Sequence, residues 1–324
     1  MTRIVRQSMS RRQVIKAGAA LGAVAAIAPH DRTSWAQDSD PAAALPLNTR
    51  AIPSTGERLP VVGLGTNAYS VSAPEDLQSR REVLEALPGL GGRVVDTARA
   101  YGESEVVIGR LLEEIGNREE LFLATKTPIR GDVSQGDAVV EESFRRLRTD
   151  TIDLMQIHNL HGLETLMPVL RAWKEKGRIR YIGVTTSSDD QYEAMLQAMR
   201  QHPLDFIQVD YSIANRGAAE KILPFAQERG IAVLLNMPFG GRRGGNLFAR
   251  LEGKPLPGWA ADIGVTSWAG FMLKYVVSHP AATCAIPGTT RLSHLQDNLR
   301  AARGRLPDAG MRRKMERYWD SHIA

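Results

Sequence analysis

Cysteine, aromatic residues and long apolar runs are all scarce in this chain of 324 residues. The single cysteine, Cys284, excludes an internal disulfide and leaves no lipid-attachment cysteine near the N-terminus. Its neighbours in residues 283–286 are mostly apolar, which favours a buried structural thiol over a reactive one. Because no apolar run approaches the ~20 residues that cross a bilayer, we expect no stable membrane anchor.

A charge excess of one sign is also absent once the first 36 residues are set aside. The full chain has 41 Lys and Arg residues against 36 Asp and Glu residues. Residues 1–36 hold six of the basic residues and one of the acidic ones, which leaves 35 of each sign in residues 37–324. Nucleic-acid binding needs clustered cationic surface, so we expect no nucleic-acid partner. The basic run 312–314 predicts a solvated helix face.

The N-terminus has the parts of an export signal in the usual order. Residues 1–16 are basic, residues 17–28 are small and apolar, and residues 34–36 form a small-x-small cleavage site. The pair Arg11 and Arg12 resembles the twin-arginine (Tat) signal. We therefore predict export by the Tat machinery to the periplasm or medium, removal of residues 1–36, and a flexible spacer at 37–47. A disordered basic arm is the alternative.

From residue 61 onward, short apolar runs alternate with amphipathic stretches at intervals of about thirty residues. The runs predict eight strands at residues 61–64, 93–95, 121–125, 152–157, 180–184, 206–209, 231–235 and 283–286. The amphipathic stretches predict helices that include residues 104–114, 137–147, 163–176, 188–200, 218–229 and 265–277. Eight parallel strands with helices outside them close into a (β/α)8 TIM barrel, here one domain over residues 48–324.

Three further segments complete this prediction. Residues 63–66 break off before a Gly-x-Gly-x-x-Gly motif is complete, which disfavours the alternative of a doubly wound sheet. Residues 49–59, with a turn at 54–56, predict a β-hairpin that closes the barrel floor. Residues 238–263 are the longest interruption and predict a lid after the seventh strand. Trp259, Phe248 and Trp319 are candidates either to line a substrate pocket or to pack on the barrel.

Four polar residues, Asp96, Tyr101, Lys126 and His158, lie at or just after the ends of predicted strands. In a parallel barrel these ends open onto one face, so distant residues converge there. A tyrosine hydroxyl ordinarily has a pKa of about 10, and a neighbouring ammonium favours the phenolate. Lys126 is placed to assist Tyr101 as a proton donor, with Asp96 holding the lysine and His158 orienting a carbonyl oxygen.

Each of these residues also has a purely structural alternative. Asp96 is suited to cap a helix, Lys126 to lie on the surface, Tyr101 to pack on the barrel rim and His158 to fill a structural role. Their occurrence together favours the functional interpretation. A metal site built on His158 and His161 lacks a third ligand at suitable spacing, so we expect no metal.

The motifs around these residues resemble those of the aldo-keto reductases. The stretches concerned are Asp96-Thr-Ala-Arg-Ala-Tyr-Gly-Glu-Ser-Glu105, Thr125-Lys126 and Asp153-Leu-Met-Gln-Ile-His158, followed in the family's order by residues 176–185, 208–211 and 286–291. The resemblance runs from about residue 50 to residue 302. It implies NAD(P)H-dependent reduction of small aldehydes or ketones to alcohols, with Tyr101 as general acid.

The resemblance also implies a nicotinamide cofactor bound without a Rossmann domain. By position, Thr185 and Gln208 would hold the carboxamide, and Thr186 stands where the family often has asparagine. An N-terminus of a helix near Arg291 would favour a phosphate group. The implied cofactor-binding residues are Thr66, Thr185, Thr186, Gln208, Asn236, Gly288, Thr289, Arg291 and Asn298.

Two positions depart from the family's pattern. Asn236 stands where an aromatic residue often stacks on the nicotinamide, which leaves the stacking to Asn236 or Phe239. Gly288 stands where a lysine often meets the 2′-phosphate, and Arg291 is the nearest candidate cation. Because a guanidinium pairs well with phosphate, we predict NADP(H) in preference to NAD(H).

Two other functions and one assembly state complete the predictions. A Schiff-base lyase would use Lys126 as nucleophile, but such chemistry needs a lysine of low pKa, which Asp96 opposes. A non-catalytic nucleotide-binding barrel is the other alternative, suggested by the changes at Thr186, Asn236 and Gly288. With no heptad pattern or exposed edge in the sequence, we expect a monomer.

Overall fold

The computed structural model describes residues 44–241 and 245–324. Within them, eight strands form one sheet in which each strand pairs in parallel with the next along the chain. These strands are β3 (Leu64–Gly65), β4 (Val94–Asp96), β5 (Phe122–Lys126), β6 (Ile152–Ile157), β7 (Ile179–Thr185), β8 (Phe206–Asp210), β9 (Ala232–Asn236) and β10 (Cys284–Ala285). The predicted signal, residues 37–43 of the predicted spacer and residues 242–244 of the predicted lid lie outside the described residues.

Backbone hydrogen bonds between the first and last strands close the sheet into a barrel. The Gly63 N–H donates to the Ala285 carbonyl at 2.8 Å, and the Ala285 N–H donates to the Val61 carbonyl at 2.9 Å. The predicted (β/α)8 barrel is confirmed, and the alternative of a doubly wound sheet is wrong.

Helices follow the strands and cover the barrel. They are α1 (Pro74–Gly89), α2 (Ser104–Ile115), α3 (Gly136–Leu147), α4 (Leu163–Glu175), α5 (Tyr192–Gln201), α6 (Ile222–Glu228), α7 (Leu247–Leu251), α8 (Trp268–Val277), α9 (Leu292–Arg300) and α10 (Ala309–His322). In α2 the buried residues Val107, Ile108, Leu111 and Leu112 recur with helical spacing, so one apolar stripe faces the sheet. The helix ends at Gly116, whose φ of 78° suits glycine.

A β-hairpin closes the barrel floor, as the sequence predicts. Strands β1 (Thr49–Ala51) and β2 (Arg58–Pro60) pair antiparallel, and Gly56 in the turn has a φ of 79°. Ile52 and Leu59 are fully buried and belong to the apolar cluster inside the barrel. Their partners in that cluster include Phe122, Leu154, Tyr181, Phe206 and Leu234.

Ion pairs tie this hairpin to the strands above it. The Asp153 carboxylate accepts hydrogen bonds from Arg118 Nη2 at 2.9 Å and from Arg180 Nη1 at 2.6 Å. Glu57 of the hairpin pairs with Arg180 as well, and accepts a hydrogen bond from the Tyr181 hydroxyl at 2.9 Å. Buried apolar side chains inside the barrel and the ion pairs that Arg180 makes with both Asp153 and Glu57 therefore hold the hairpin against the barrel.

Several element boundaries differ from the sequence prediction, and two of them illustrate how. The first strand, predicted at residues 61–64, is β3 at Leu64–Gly65, and the residues before it bond to the last strand and close the barrel. The helix predicted at 218–229 is shortened to α6, which begins two residues before Pro224. Proline lacks an N–H and fits the first turn of a helix, so its position marks the start.

The described parts of the predicted lid pack largely against the body of the protein. Leu247 and Leu251 of α7 are buried, while Phe248 is 40% exposed and contacts Phe239. Trp259 contacts Phe271 of α8, so it packs on the barrel's helical layer. Trp319 is buried in the core cluster too.

The remaining sequence predictions concern Cys284 and the basic tail. Cys284 is fully buried, and burial raises the pKa of its thiol, as a structural role requires. Arg313 is exposed, but Arg312 lies over the Tyr275 ring and donates to the Tyr211 hydroxyl at 2.7 Å. The prediction of a solvated face is therefore wrong for Arg312.

Among the described residues, no helix combines the length and apolarity needed to cross a membrane.

Candidate active site

The four predicted catalytic residues converge at the carboxyl-terminal mouth of the barrel. Asp96 ends β4, Lys126 ends β5, His158 follows β6, and Tyr101 lies in the loop after β4. Lys126 Nζ donates to Asp96 Oδ2 at 2.5 Å and to the Thr97 carbonyl at 2.8 Å. The ammonium lies 5.1 Å from the centre of the Tyr101 ring, and the His158 ring lies perpendicular to that ring with centres 6.3 Å apart.

The surroundings of Lys126 keep its ammonium protonated. Burial by itself lowers the pKa of Lys126, but the charge of Asp96 and the proximity of Tyr101 outweigh it, so the pKa lies above its ordinary value. Two of the three ammonium hydrogens bond to Asp96 and Thr97, which leaves one for the Tyr101 hydroxyl. A raised pKa is the opposite of what a Schiff-base nucleophile needs.

Asp96 is itself held by buried amides. Gln208 Nε2 donates to Asp96 Oδ1 at 3.0 Å, and Gln156 Nε2 lies 3.4 Å from the same oxygen. The Thr66 hydroxyl donates to the Asp96 carbonyl at 2.8 Å. Gln208 and Thr66, predicted as cofactor residues, thus fix the position of Asp96 in this structure. Gln156 was not predicted, although it lies two positions before His158 and strand alternation points both to the same face.

His158 is neutral at physiological pH. Burial, and then the charge of Lys126, lower the pKa of its imidazole to about 3, against the opposing hydrogen bond with Thr127. Its Nδ1 is buried and has no hydrogen-bond partner among the described residues. A neutral imidazole has one donor N–H and one acceptor nitrogen.

The backbone after His158 is unusual. Asn159 and Leu160 have φ values of 51° and 59°, in the left-handed region that a leucine seldom adopts. The Asn159 N–H donates to Thr185 Oγ1 at 2.9 Å, which fixes this turn against the end of β7. Thr185, predicted to bind the carboxamide, therefore positions the His158 loop in this structure.

The low pKa of His158 predicts a pH dependence of stability. An unfolded histidine takes up a proton as the pH falls below 6.5, whereas folded His158 does not until about pH 3. Between these values the unfolded state binds more protons than the folded state, so a falling pH favours unfolding. Because of His158, we expect the unfolding free energy to be about 2 kcal/mol lower at pH 5 than at neutral pH. Urea unfolding at pH 7 and pH 5 should show this loss in the wild type and its reduction in His158→Asn. The exposed His294→Asn is the control, and equal losses in all three proteins would contradict the assignment.

Asn236 and Thr186 meet between the ends of β7 and β9. Asn236 Nδ2 donates to the Thr186 carbonyl at 3.2 Å, and the Thr186 hydroxyl donates to Gln191 Oε1 at 2.7 Å. Asn236 Oδ1 is buried without a hydrogen-bond partner among the described residues. A buried acceptor of this kind fits a ligand that offers an amide N–H, as the carboxamide of a nicotinamide does. The Thr186 side chain is engaged within the protein.

The predicted nucleotide end lies between β10 and α9. Thr289 Oγ1 accepts a hydrogen bond from Asn298 Nδ2 at 2.8 Å, so these two side chains bond to each other. Gly288 pairs with Gly65 across the barrel closure. Arg291 is exposed directly before α9, whose first-turn N–H groups point toward that end. Helix-terminal N–H groups and a guanidinium together suit a phosphate.

Two cavities lie outside the catalytic cluster. One of about 110 Å³ is lined by residues after β7, β8 and β9, including Ser187, Ser188, Asp210, Tyr211 and Met237. A larger one, of about 470 Å³, lies against α8 and α10 and includes Tyr275, Arg312 and Glu316. Its polar groups bond to each other, as the Tyr275 hydroxyl does to Glu316 Oε1 at 2.7 Å. The catalytic assignment therefore depends on side-chain geometry and not on cavity size.

Within residues 44–241 and 245–324, no three His, Cys, Asp or Glu side chains are grouped to hold a metal ion.

The sequence model described as the aldo/keto reductase family matches residues 61–316, which is most of the chain. The protein belongs to the aldo/keto reductase family. A second model, the signal sequence of the TAT (twin-arginine translocation) pathway, matches residues 8–28. This aldo/keto reductase is therefore an exported protein, periplasmic or secreted, as predicted. Removal of residues 1–36 stays a prediction.

Known members of the family resemble the reductase in sequence and in fold. It is 33% identical to the aldo-keto reductase YhdN of Bacillus subtilis (strain 168) over 201 residues, which cover 57% of this chain and 60% of YhdN. It is 27% identical to the aldo-keto reductase str7 of Strobilurus tenacellus over 301 residues, covering 80% and 88% of the two chains. An aldo/keto reductase of Klebsiella pneumoniae, solved in complex with NADP and acetate, shares the fold with a TM-score of 0.70 and 24% identity, over 84% of this chain and 96% of that one.

Proposed function

We propose that the protein reduces aldehydes or ketones to alcohols with NAD(P)H and uses Tyr101 as the general acid. The observation that carries this proposal is the buried Lys126 ammonium, 2.5 Å from Asp96 Oδ2 and 5.1 Å from the Tyr101 ring. Such an arrangement has no need for a metal and serves to stabilise a phenolate. Membership of an oxidoreductase family supports the same chemistry.

Each member of the cluster has a distinct role in this proposal. The nicotinamide supplies the hydride when bound. Tyr101 donates a proton to the carbonyl oxygen, and Lys126 stabilises the phenolate form of Tyr101 that results. Asp96 holds the ammonium in place. His158, being neutral, donates an N–H to the carbonyl oxygen and sets its angle without adding a second cation beside Lys126.

The cofactor-binding roles follow from what the side chains offer. Asn236 Oδ1 is an unpartnered acceptor for the carboxamide, and Thr185 at the end of β7 and Gln208 within β8 are the other candidates to hold it. Arg291 and the N-terminus of α9 suit a 2′-phosphate, so NADP(H) is proposed over NAD(H). The NADP complex of the Klebsiella pneumoniae protein, which has the same fold, supports use of a nicotinamide cofactor. We propose that the reductase works on its small carbonyl substrate as a monomer.

The test is an assay of NADPH and NADH oxidation by residues 37–324 against a panel of aldehydes and ketones. We expect turnover with a lower KM for NADPH than for NADH. Arg291→Ala should raise the KM for NADPH several-fold and leave that for NADH unchanged, because only NADPH has the 2′-phosphate. Tight NADPH binding without turnover of any carbonyl would instead support the non-catalytic nucleotide-binding alternative.

Export raises the question of where the cofactor binds. NADPH is made in the cytoplasm, and the twin-arginine pathway carries proteins that have already folded. We propose that NADP(H) binds before export and leaves the cell with the protein. Reductase isolated from the periplasm and then denatured should release nucleotide, measured by chromatography. An Arg11→Lys, Arg12→Lys variant, retained in the cytoplasm, is the matched control. Exported protein that is empty while the retained variant is loaded would refute loading before export.

A further inference from the structure

Glu105 is a fully buried carboxylate that the proposed reaction does not use. It lies in the first turn of α2, and its side chain has no exposed area. Oε1 accepts a hydrogen bond from the Thr125 hydroxyl at 2.7 Å, while Oε2 lies 3.1 Å from Arg146 Nε and 3.4 Å from Arg99 Nε. Burial raises the pKa of this carboxyl, against the opposing effects of its polar neighbours. Burying a charged side chain costs free energy of folding, and apolar side chains often replace buried charges without loss of stability. The buried carboxylate of Glu105 therefore indicates a role other than stability.

The partners of Glu105 surround Tyr101 on both sides. Arg99 precedes Tyr101 by two residues, and its backbone N–H donates to the Lys126 carbonyl at 3.4 Å. Arg146, on α3, donates through Nη2 to the carbonyl of Gly102, the residue after Tyr101. The Glu105 carboxylate thus binds two guanidinium groups. Arg99 lies on the N-terminal side of Tyr101, and Arg146 holds the backbone on its C-terminal side.

The third partner of Glu105 is on the strand that carries the lysine. Thr125 immediately precedes Lys126 in β5, and its side chain is fully buried. The hydrogen bond from Thr125 to Glu105 therefore joins α2, which follows the Tyr101 loop, to the Lys126 strand. We propose that Glu105 is a positioning residue that sets the distance between the Tyr101 hydroxyl and the Lys126 ammonium. This inference deepens the proposed function and rests on it for the identity of the two catalytic groups.

The geometry explains why this distance matters. The influence of an ammonium on a phenol falls with their separation, and a displacement of about 1 Å in a catalytic group costs about 100-fold in rate. Lys126 is already fixed by Asp96 and the Thr97 carbonyl. Tyr101 lies in a loop, so its position depends on the contacts at its flanks.

The test compares Glu105→Gln with Glu103→Gln in the exported protein. The glutamine side chain of the first variant keeps an acceptor for Thr125 but loses the charge that holds both guanidinium groups. Glu103 pairs with the same Arg146 at 3.4 Å but is 64% exposed, which makes it a matched control. We expect Glu105→Gln to lower kcat about 10-fold or more and to move the alkaline limb of the kcat profile to higher pH, with the KM for NADPH within about twofold of wild type. Glu103→Gln should behave as wild type.

A second readout does not require turnover. The phenolate absorbance of Tyr101, obtained by subtracting the titration of Tyr101→Phe, should have its midpoint at higher pH in Glu105→Gln than in the wild type. If the wild type reduces no carbonyl but this midpoint still moves, the proposed function fails and the positioning role stands. If kcat, the pH profile and the midpoint match those of Glu103→Gln, and only the melting temperature falls, the positioning role is overturned.

A milder variant decides the matter if Glu105→Gln does not fold. Thr125→Val removes only the hydroxyl that donates to Glu105 and nearly preserves the shape of the side chain. We expect the same displacement of the pH profile with a smaller loss of kcat, about 3-fold or more. An unchanged pH profile and an unchanged phenolate midpoint in Thr125→Val would overturn the inference.

Discussion

Replacing Tyr101 by phenylalanine is expected to lower kcat for carbonyl reduction by about 1000-fold, because the variant lacks the proposed proton donor and general acids contribute rate factors of this size. The ring itself remains, with its edge-to-face contact with His158 and its position 5.1 Å from the Lys126 ammonium. Cofactor affinity, measured by quenching of protein fluorescence, should therefore stay close to that of the wild type. The measurement is kcat with saturating NADPH and the best carbonyl of the panel.

Tyr318→Phe is the control for loss of a hydroxyl. Tyr318 stacks on Trp268 and His322 in the outer helical layer, and its ring is retained in the variant. The Tyr318→Phe enzyme should reduce the carbonyl substrate at the wild-type rate. A Tyr101→Phe enzyme that keeps more than about a tenth of wild-type kcat would show that another group supplies the proton.

Replacing Lys126 by methionine should damage both activity and stability. The side chain of Lys126 is 1% exposed, and that of Asp96 is 3% exposed, so the variant leaves a buried carboxylate without its cation. Removing one partner of such a pair costs about 4 kcal/mol of unfolding free energy, and we expect kcat to fall by about 1000-fold as well. Urea unfolding and steady-state kinetics measure the two effects separately.

The double variant Lys126→Met, Asp96→Asn separates these two effects. With both charges gone, the buried carboxylate no longer lacks a partner, and much of the lost unfolding free energy should return. Turnover should not return, because the ammonium beside Tyr101 is still absent. Recovery of both stability and turnover in the double variant would mean that Lys126 serves only to neutralise Asp96.

The barrel was predictable from the sequence because its strands and most of its helices have clear periods. The run that became β6 matches its predicted bounds, and α2 and α3 begin or end within a residue of theirs. The convergence of the candidate catalytic residues was predictable for a related reason. Asp96, Lys126 and His158 are polar residues that interrupt apolar strands at their ends, and a parallel barrel brings such ends together.

The supporting contacts were not predictable in the same way. Nothing in the sequence indicates that Gln156 and Gln208 meet at one oxygen of Asp96, since they lie on different strands. Arg312 is part of a charged run that predicts a solvated face, yet it packs on Tyr275. Pairings of this kind depend on the register between strands and on the packing of helices, which local patterns do not reveal.

Local patterns and motifs were enough to establish the family, the export signal, the order of strands and helices and the identity of the four catalytic candidates. The neutral state of His158, the protonated state of Lys126 and the contacts of Glu105 with the flanks of Tyr101 and the strand of Lys126 required the folded structure. Protonation and position are set by burial and by charges a few ångströms away, and those neighbours come from distant parts of the chain.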